Sequence, residues 1–95
     1  MKIIIKPKAL EWYKEDLDLK QGDFVRFFAR YGGCSNVQKG FSLGINKESP
    51  LSPGVQTVID GITFFIEESD MWYFDQHDLI VDFDEQWGEP VFLYE

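Results

Sequence analysis

The chain has 95 residues, of which 17 are acidic and 9 are basic, so its formal net charge is −8. This balance excludes the basic footprint that nucleic-acid binding requires, and an anionic membrane surface would repel the chain. Hydrophobic residues make up 44% and aromatic residues 17% of the sequence, which is enough for a packed interior. We therefore expect one folded domain spanning residues 1–95.

The compartment and the assembly state follow from the apolar runs and the cysteine content. No apolar run is long enough for a membrane span or a signal peptide, and a single cysteine cannot form an internal disulfide. These observations predict a soluble cytoplasmic protein without membrane contact. The high aromatic content also suits an interface between two copies, so a homodimer is one expectation.

The first half of the sequence predicts a strand, a helix and two longer strands. The run "MKIII" is β-branched and predicts a strand that ends before Pro7. Residues 7–19 predict a helix, with Pro7 in its first turn and Gly22 beyond its end. "DFVRFFARY" has aromatic side chains on both faces and predicts a central strand, and "GFSLGI" alternates as a half-buried strand. The apolar face predicted for the helix consists of Ala9, Leu10, Tyr13 and Leu17.

The second half predicts a hairpin, a short helix and two closing strands. "NKESPLSPG" predicts a loop, and "VQTVIDGITFFIEE" predicts a hairpin that turns at Asp60 and Gly61. Ser69 is a candidate cap for a short helix with Asp70 in its first turn. "LIVDFD" and "PVFLYE" predict two further strands. The whole sequence therefore predicts an α+β fold in which one N-terminal helix packs on a mostly antiparallel β-sheet.

The stretch "YGGCS" contains the only cysteine of the chain and allows two interpretations. Gly32 and Gly33 permit positive φ and let backbone amides approach a ligand. A thiolate at Cys34 beside such amides would be a good metal ligand. The alternative is a strand-ending turn in which Cys34 is a small, partly buried residue. The residues alone favour the turn.

Two other groups are weaker candidates for chemistry. Cys34 and His77, the only histidine, would form a thiol–imidazole pair if the fold brought them within hydrogen-bond reach, but a surface turn is the simpler interpretation of His77. A group of acidic residues could supply oxygen ligands to a hard cation, whereas strand alternation predicts a solvated face. This group consists of Asp75, Asp78, Asp82, Asp84 and Glu85. P-loop, GxSxG, HExxH and CxxC motifs are absent from the sequence, so we predict no enzyme.

The order of these features is similar to that of a known family. A short first strand, an alanine-led helix, "VRFFARYGGCS" and "GFSLGI" resemble the HesB/IscA-like proteins, or A-type iron–sulfur carriers. "VQTVIDGITFFIEESDMWYF" and "LIVDFDE" resemble later strands of that family. The resemblance covers nearly the whole chain and looks closest to a short, YneR-type branch. The chain ends "GEPVFLYE", where the carriers have Cys-Gly-Cys.

The resemblance implies a compact, β-rich HesB-like domain that acts in iron–sulfur cluster biogenesis. Cys34, after Gly32 and Gly33, occupies the position of the family's first cysteine ligand and is implied to bind iron or an iron–sulfur cluster. A homodimer would supply two such thiolates, against the four that usually hold a cluster. The implied partners are apo-protein clients or assembly proteins.

A non-catalytic interaction module without a cofactor is the alternative function. Such a module would keep the fold and meet a basic or apolar protein partner through an acidic, aromatic surface. That surface is predicted around Trp72, Tyr73, Phe74 and Trp87.

Overall fold

A computed structural model describes residues 1–33 and 37–95 of the chain. The elements in chain order are β1 (Ile3–Ile5), α1 (Pro7–Asp16), β2 (Phe24–Tyr31), β3 (Phe41–Lys47), β4 (Pro53–Ile59), β5 (Ile62–Glu67), a 3-10 helix (Glu68–Phe74), β6 (Leu79–Asp84) and β7 (Glu89–Tyr94). Among the described residues, no helix is long and apolar enough to cross a membrane.

The strands form two sheets, and most neighbouring strands are antiparallel. The larger sheet has the order β3-β2-β5-β4, and the smaller sheet has the order β1-β6-β7. Only β2–β5 and β1–β6 pair in parallel among the described strands. The α+β class and the N-terminal helix are therefore confirmed. The central position predicted for β2 is also confirmed, since β2 lies between β3 and β5.

The inner faces of both sheets, α1 and the 3-10 helix contribute to one hydrophobic core. Phe27 of β2 joins the two sheets: its ring stacks on Phe64 of β5 at 6.2 Å and meets Phe92 of β7 edge-on at 6.0 Å. Burying such a side chain stabilises the fold by about 1.5–3 kcal/mol. The predicted apolar face of α1 is confirmed by its buried residues, which are Ala9, Leu10 and Tyr13.

Two elements differ from the sequence prediction. The helix α1 ends at Asp16, ahead of the predicted Leu19, because Asp18 adopts a left-handed conformation (φ 51°) that no helix continues through. The helix predicted after β5 is a 3-10 helix that begins at Glu68, and no side chain caps it, so the capping role predicted for Ser69 is wrong.

The β4–β5 hairpin turns where the sequence predicts. Asp60 and Gly61 have φ of 53° and 76°, the pattern of a type I′ turn. A side chain at Gly61 would also collide with that of Gln21. The ammonium of Lys14 lies 2.7 Å from the Asp60 carboxylate, so α1 is tied to this turn, and the hydrogen bond from Lys14 to Asp60 raises the pKa of Lys14.

Candidate interaction surface

Three aromatic rings form a continuous row where β2 ends and β3 begins, with the half-buried Phe41 between two exposed rings. The rings of Tyr31 and Phe41 are 5.7 Å apart, and those of Phe41 and Trp72 are 5.1 Å apart, both in edge-to-face geometry. Tyr31 is 91% exposed and Trp72 is 50% exposed. We call Tyr31, Phe41 and Trp72 the aromatic ridge. Because neighbouring large rings on a protein surface often mark an interaction site, the aromatic ridge is the candidate functional surface.

The β2–β3 hairpin produces the outer half of the aromatic ridge. Tyr31 is the register partner of Phe41, and beyond this pair the Gly32 amide donates to the Gly40 carbonyl at 2.8 Å. Gly33 has a φ of 77°, and a Cβ there would lie 2.9 Å from the Ser42 hydroxyl oxygen. Glycine at this position therefore lets the chain turn back close to β3.

The predicted ligand position is adjacent to this hairpin end. Cys34 lies outside the described residues, so its role as a ligand stays a prediction. Gly32 and Gly33, predicted beside it as part of the same site, are described and both have positive φ.

The inner half of the aromatic ridge continues into the core. The Trp72 ring lies 6.2 Å from that of Tyr73, which is fully buried, and the Tyr73 ring lies 5.9 Å from that of Tyr94. The two tyrosine hydroxyls are 3.1 Å apart, and burial followed by this hydrogen bond raises the pKa of Tyr94. Outside the core, the Gln38 side-chain amide donates to the Trp72 carbonyl at 3.4 Å. Trp72 is therefore exposed on a rigid base.

An ion-pair cluster holds the 3-10 helix that carries Trp72. The Arg26 guanidinium of β2 donates to the Asp70 carboxylate at 2.7 Å and to the Glu48 carboxylate at 2.6 Å. Asp70 is buried, and the hydrogen bond to it is the main cause of the raised pKa of Arg26. This cluster links β2, the segment after β3 and the 3-10 helix.

Two basic residues lie near members of the aromatic ridge in the sequence, and Arg30 faces the opposite side of β2 from Tyr31, since side chains alternate along a strand. Arg30 and Lys39 are exposed next to Tyr31 and Gly40 in the chain. Neither makes an ion pair within the described ranges, whereas Arg26, Lys14 and Lys47 do. Exposed cations at the same end of the larger sheet as these rings suit a partner surface that is acidic and partly apolar.

The predicted acidic, aromatic surface is wrong in two of its four members. Tyr73 and Phe74 have no exposed area, because they face the core. Trp87 is 74% exposed but lies in the turn before β7, while Tyr94 at the other end of β7 contacts Tyr73 beside Trp72. The sequence reasoning missed Tyr31 and Phe41. Their positions on either side of a glycine-rich turn were the available signal, since residues that flank a hairpin turn become cross-strand partners.

The other weak candidates have structural roles. His77 is half-buried, and its Nδ1 lies 2.9 Å from the Phe74 carbonyl. Asp84 accepts hydrogen bonds from the amides of the β6–β7 turn, and Asp78 accepts one from the Lys2 amide at 2.7 Å. Within residues 1–33 and 37–95, no group of three or more His, Cys, Asp or Glu side chains could hold a metal ion.

The fold and this surface define a small α+β protein that presents aromatic rings and cations on a rigid base. The chain is 64% identical over 95 residues, 100% of each protein, to the "Pyruvate dehydrogenase inhibitor" of Bacillus subtilis (strain 168). It is 39% identical over 85 residues to an uncharacterized Staphylococcus saprophyticus protein, covering 86% of this chain and 87% of that protein. An uncharacterized Staphylococcus haemolyticus protein is 32% identical over 85 residues, 86% of each. The chain belongs to the family of these proteins.

The resemblance to the HesB/IscA-like carriers is therefore wrong, and the predicted function in iron–sulfur cluster biogenesis is overturned by the relative that is named an inhibitor. No protein-family model and no solved structure matches the chain. The error has a physical reason. A strand, a helix and a strand ending in a glycine turn recur in many small α+β folds, while the paired cysteines specific to the carriers are absent from this sequence.

Proposed function

We propose that this protein is a non-enzymatic inhibitor of pyruvate dehydrogenase that acts by binding the enzyme. The observation that carries the proposal is the 64% identity over the full length of the relative that bears this name. The proposal takes up the interaction-module interpretation of the sequence and needs no cofactor. It also keeps the cytoplasmic location expected from the single cysteine.

The aromatic ridge is the contact surface in this proposal. Tyr and Trp side chains are enriched among the few residues that dominate binding energy, because they bury a large area at a low cost in side-chain entropy. Tyr31 and Trp72 are exposed, and Trp72 is anchored through Tyr73 to the core. Because Trp72 is already held in place, binding costs little side-chain entropy there, which favours affinity. Arg30 and Lys39 would speed the encounter with an acidic region of the enzyme.

The proposal is tested by titrating the purified chain into the purified Bacillus subtilis pyruvate dehydrogenase complex while pyruvate turnover is followed. The Bacillus subtilis relative serves as the positive control. We expect turnover to fall with dose, and we expect the chain to co-elute with the complex on size exclusion. Unchanged turnover at concentrations at which the relative inhibits would overturn the proposal.

A further inference from the structure

The strand β3 has one unpaired edge. It is the last strand of the larger sheet, and β2 is its only partner among the strands that the structure describes. At one end of this pair the Gly32 amide donates to the Gly40 carbonyl, and at the other end the Glu48 amide donates to the Phe24 carbonyl. Because the residues that face the partner alternate in an antiparallel pair, every second residue of β3 directs its amide and carbonyl away from β2. These residues are Phe41, Leu43, Ile45 and Lys47.

Most backbone groups of this edge are free to bind another strand. The Phe41 amide donates to the Gln38 carbonyl. Within residues 1–33 and 37–95, no protein acceptor meets the amides of Leu43, Ile45 and Lys47. A row of free amides and carbonyls along a strand is a template for a further strand.

The other three strand edges of the described sheets are protected, whereas that of β3 is not. β1 has only three residues, β7 contains Pro90, and β4 begins with Pro53 and an irregular register before Val55. Short strands, prolines and irregularities are common devices that prevent an edge from pairing. β3 has seven residues, no proline and a regular register with β2. Strand addition is therefore most favourable at β3.

The two faces of β3 determine which side chains an added strand should carry. On the inner face, Phe41 and Ile45 are half-buried and pack against the core, so apolar neighbours would cover their remaining exposed area. On the outer face, a Cβ at Gly44 would lie 2.7 Å from Cδ of Arg30, so the Arg30 side chain lies across β3 above this glycine. Arg30 and Lys39 make no ion pair in the described part of the chain. Acidic side chains on the outer face would therefore be complementary.

We propose that the free edge of β3 binds an extended segment of a partner protein in which apolar and acidic side chains alternate, so that this segment adds a fifth strand to the four-stranded sheet. The charges at the far end of β3 do not oppose such a segment, because Lys47 pairs with Asp23 and Glu48 pairs with Arg26. The inference goes beyond the proposed inhibition and does not depend on it, since its test uses a peptide in place of the enzyme.

The probe is a peptide of alternating valine and glutamate that matches the seven residues of β3 in length. It is titrated into the full chain in about 0.15 M salt, which screens the net charge of distant surfaces. We expect a dissociation constant below about 1 mM and slower hydrogen exchange at the amides of Leu43 and Ile45. The Ser42 amide, which faces β2, should exchange slowly with and without the peptide.

A peptide of alternating valine and lysine is the control for charge. It should bind at least about tenfold more weakly, because its ammonium groups would oppose Arg30 and Lys39. Unchanged exchange at Leu43 and Ile45 in the presence of the acidic peptide, or equal affinity for the two peptides, would overturn the proposal.

A matched pair of proline variants tests the backbone pairing. Ile45→Pro removes an amide that faces away from β2, and it should weaken binding of the acidic peptide at least about tenfold. Val58→Pro removes an equivalent amide at the β4 edge, because Ile59 and Ile62 form the hydrogen-bonded pair that closes the two-residue turn, and it should bind like the wild type. Far-ultraviolet circular dichroism verifies that each variant is folded. Wild-type affinity in folded Ile45→Pro would contradict the proposal, and if this variant does not fold, the exchange at Leu43 and Ile45 in the wild type decides.

Discussion

The Arg26 guanidinium and the Asp70 carboxylate, 2.7 Å apart, connect the middle of β2 to the 3-10 helix. Two residues after Asp70 comes Trp72, the inner member of the aromatic ridge. The position of an exposed ring thus depends on an ion pair that is mostly shielded from water, with side-chain exposures of 24% and 12%. Such a pair costs free energy to form but costs more to break, because the remaining charge stays partly buried.

Asp70→Asn should lower the free energy of unfolding by about 2 kcal/mol, since Arg26 then loses its more buried carboxylate. The measurement is urea denaturation followed by circular dichroism. Asp18→Asn is the control, because its ion pair with Lys20 has side-chain exposures of 82% and 74%. That substitution should change the free energy by less than about 0.5 kcal/mol. An equal loss in both variants would show that Arg26–Asp70 contributes no more than a surface pair.

Trp72→Ala should weaken binding to pyruvate dehydrogenase at least about tenfold, as expected for a central aromatic contact. Trp87→Ala is the matched control, because Trp87 is more exposed but lies at the far end of β7. Dissociation constants from biolayer interferometry, with inhibition curves beside them, provide the comparison. If both variants bind like the wild type, the contact surface lies elsewhere, even where inhibition by the wild type is observed.

Arg30→Ser should lower the association rate several-fold and leave the dissociation rate nearly unchanged, because an exposed charge outside the direct contact acts mainly on the encounter. The wild-type association rate should also fall as ionic strength rises above about 0.1 M. Lys20→Ser is the control, since Lys20 pairs with Asp18 away from the aromatic ridge. If the association rate depended neither on ionic strength nor on Arg30, the partner surface would not be acidic.

The sequence predicted the separate elements better than their arrangement. The alternation of 24–31 and the Asp60–Gly61 turn are local signals, and the structure confirms both. The division into two sheets and the parallel pairs β1–β6 and β2–β5 depend on contacts between distant segments, which periodicity does not report. Ser69 failed as a cap because the Arg26–Asp70 ion pair and the burial of Tyr73 place the 3-10 helix.

The candidate site was the least predictable part. Its members are contributed by β2, β3 and the 3-10 helix, so no single segment contains the pattern. Tyr31 and Phe41 could have been paired through the hairpin, but the approach of Trp72 requires the tertiary fold. Tyr73 and Phe74 looked like surface residues because acidic residues flank them, although burial depends on the direction of each side chain.

Glu67→Ala should loosen the loop between β3 and β4. The buried Glu67 carboxylate accepts hydrogen bonds from the amides of Leu51 and Ser52, the nearest at 3.0 Å. Without it these amides lose their acceptor, so the free energy of unfolding should fall by about 1–3 kcal/mol. Hydrogen exchange at Leu51 and Ser52 should quicken. Glu68→Ala, at an exposed position, should change neither quantity, and slow exchange in both variants would contradict this role of Glu67.

Ionisation of Tyr13 should lower the free energy of unfolding in strong alkali. Burial, followed by the charges of Asp16 and Glu89, raises the pKa of Tyr13 from 10.0 to about 12. Because the folded state favours the neutral phenol, this contribution is fully present below pH 10 and is lost as the pH rises towards about 12. The loss amounts to about 2–3 kcal/mol for this one group.

Urea denaturation of the wild type and of Tyr13→Phe between pH 9 and about 12 measures this contribution. The stability of the variant should fall less steeply, and the remaining slope should come from groups such as Tyr94, whose pKa is also raised by burial. Tyr31→Phe should follow the wild type, because Tyr31 is 91% exposed. If Tyr13→Phe kept the wild-type slope, the phenol of Tyr13 would have the same pKa in the folded and unfolded states. The helix α1 would then pack less tightly against the core than the burial of Tyr13 indicates.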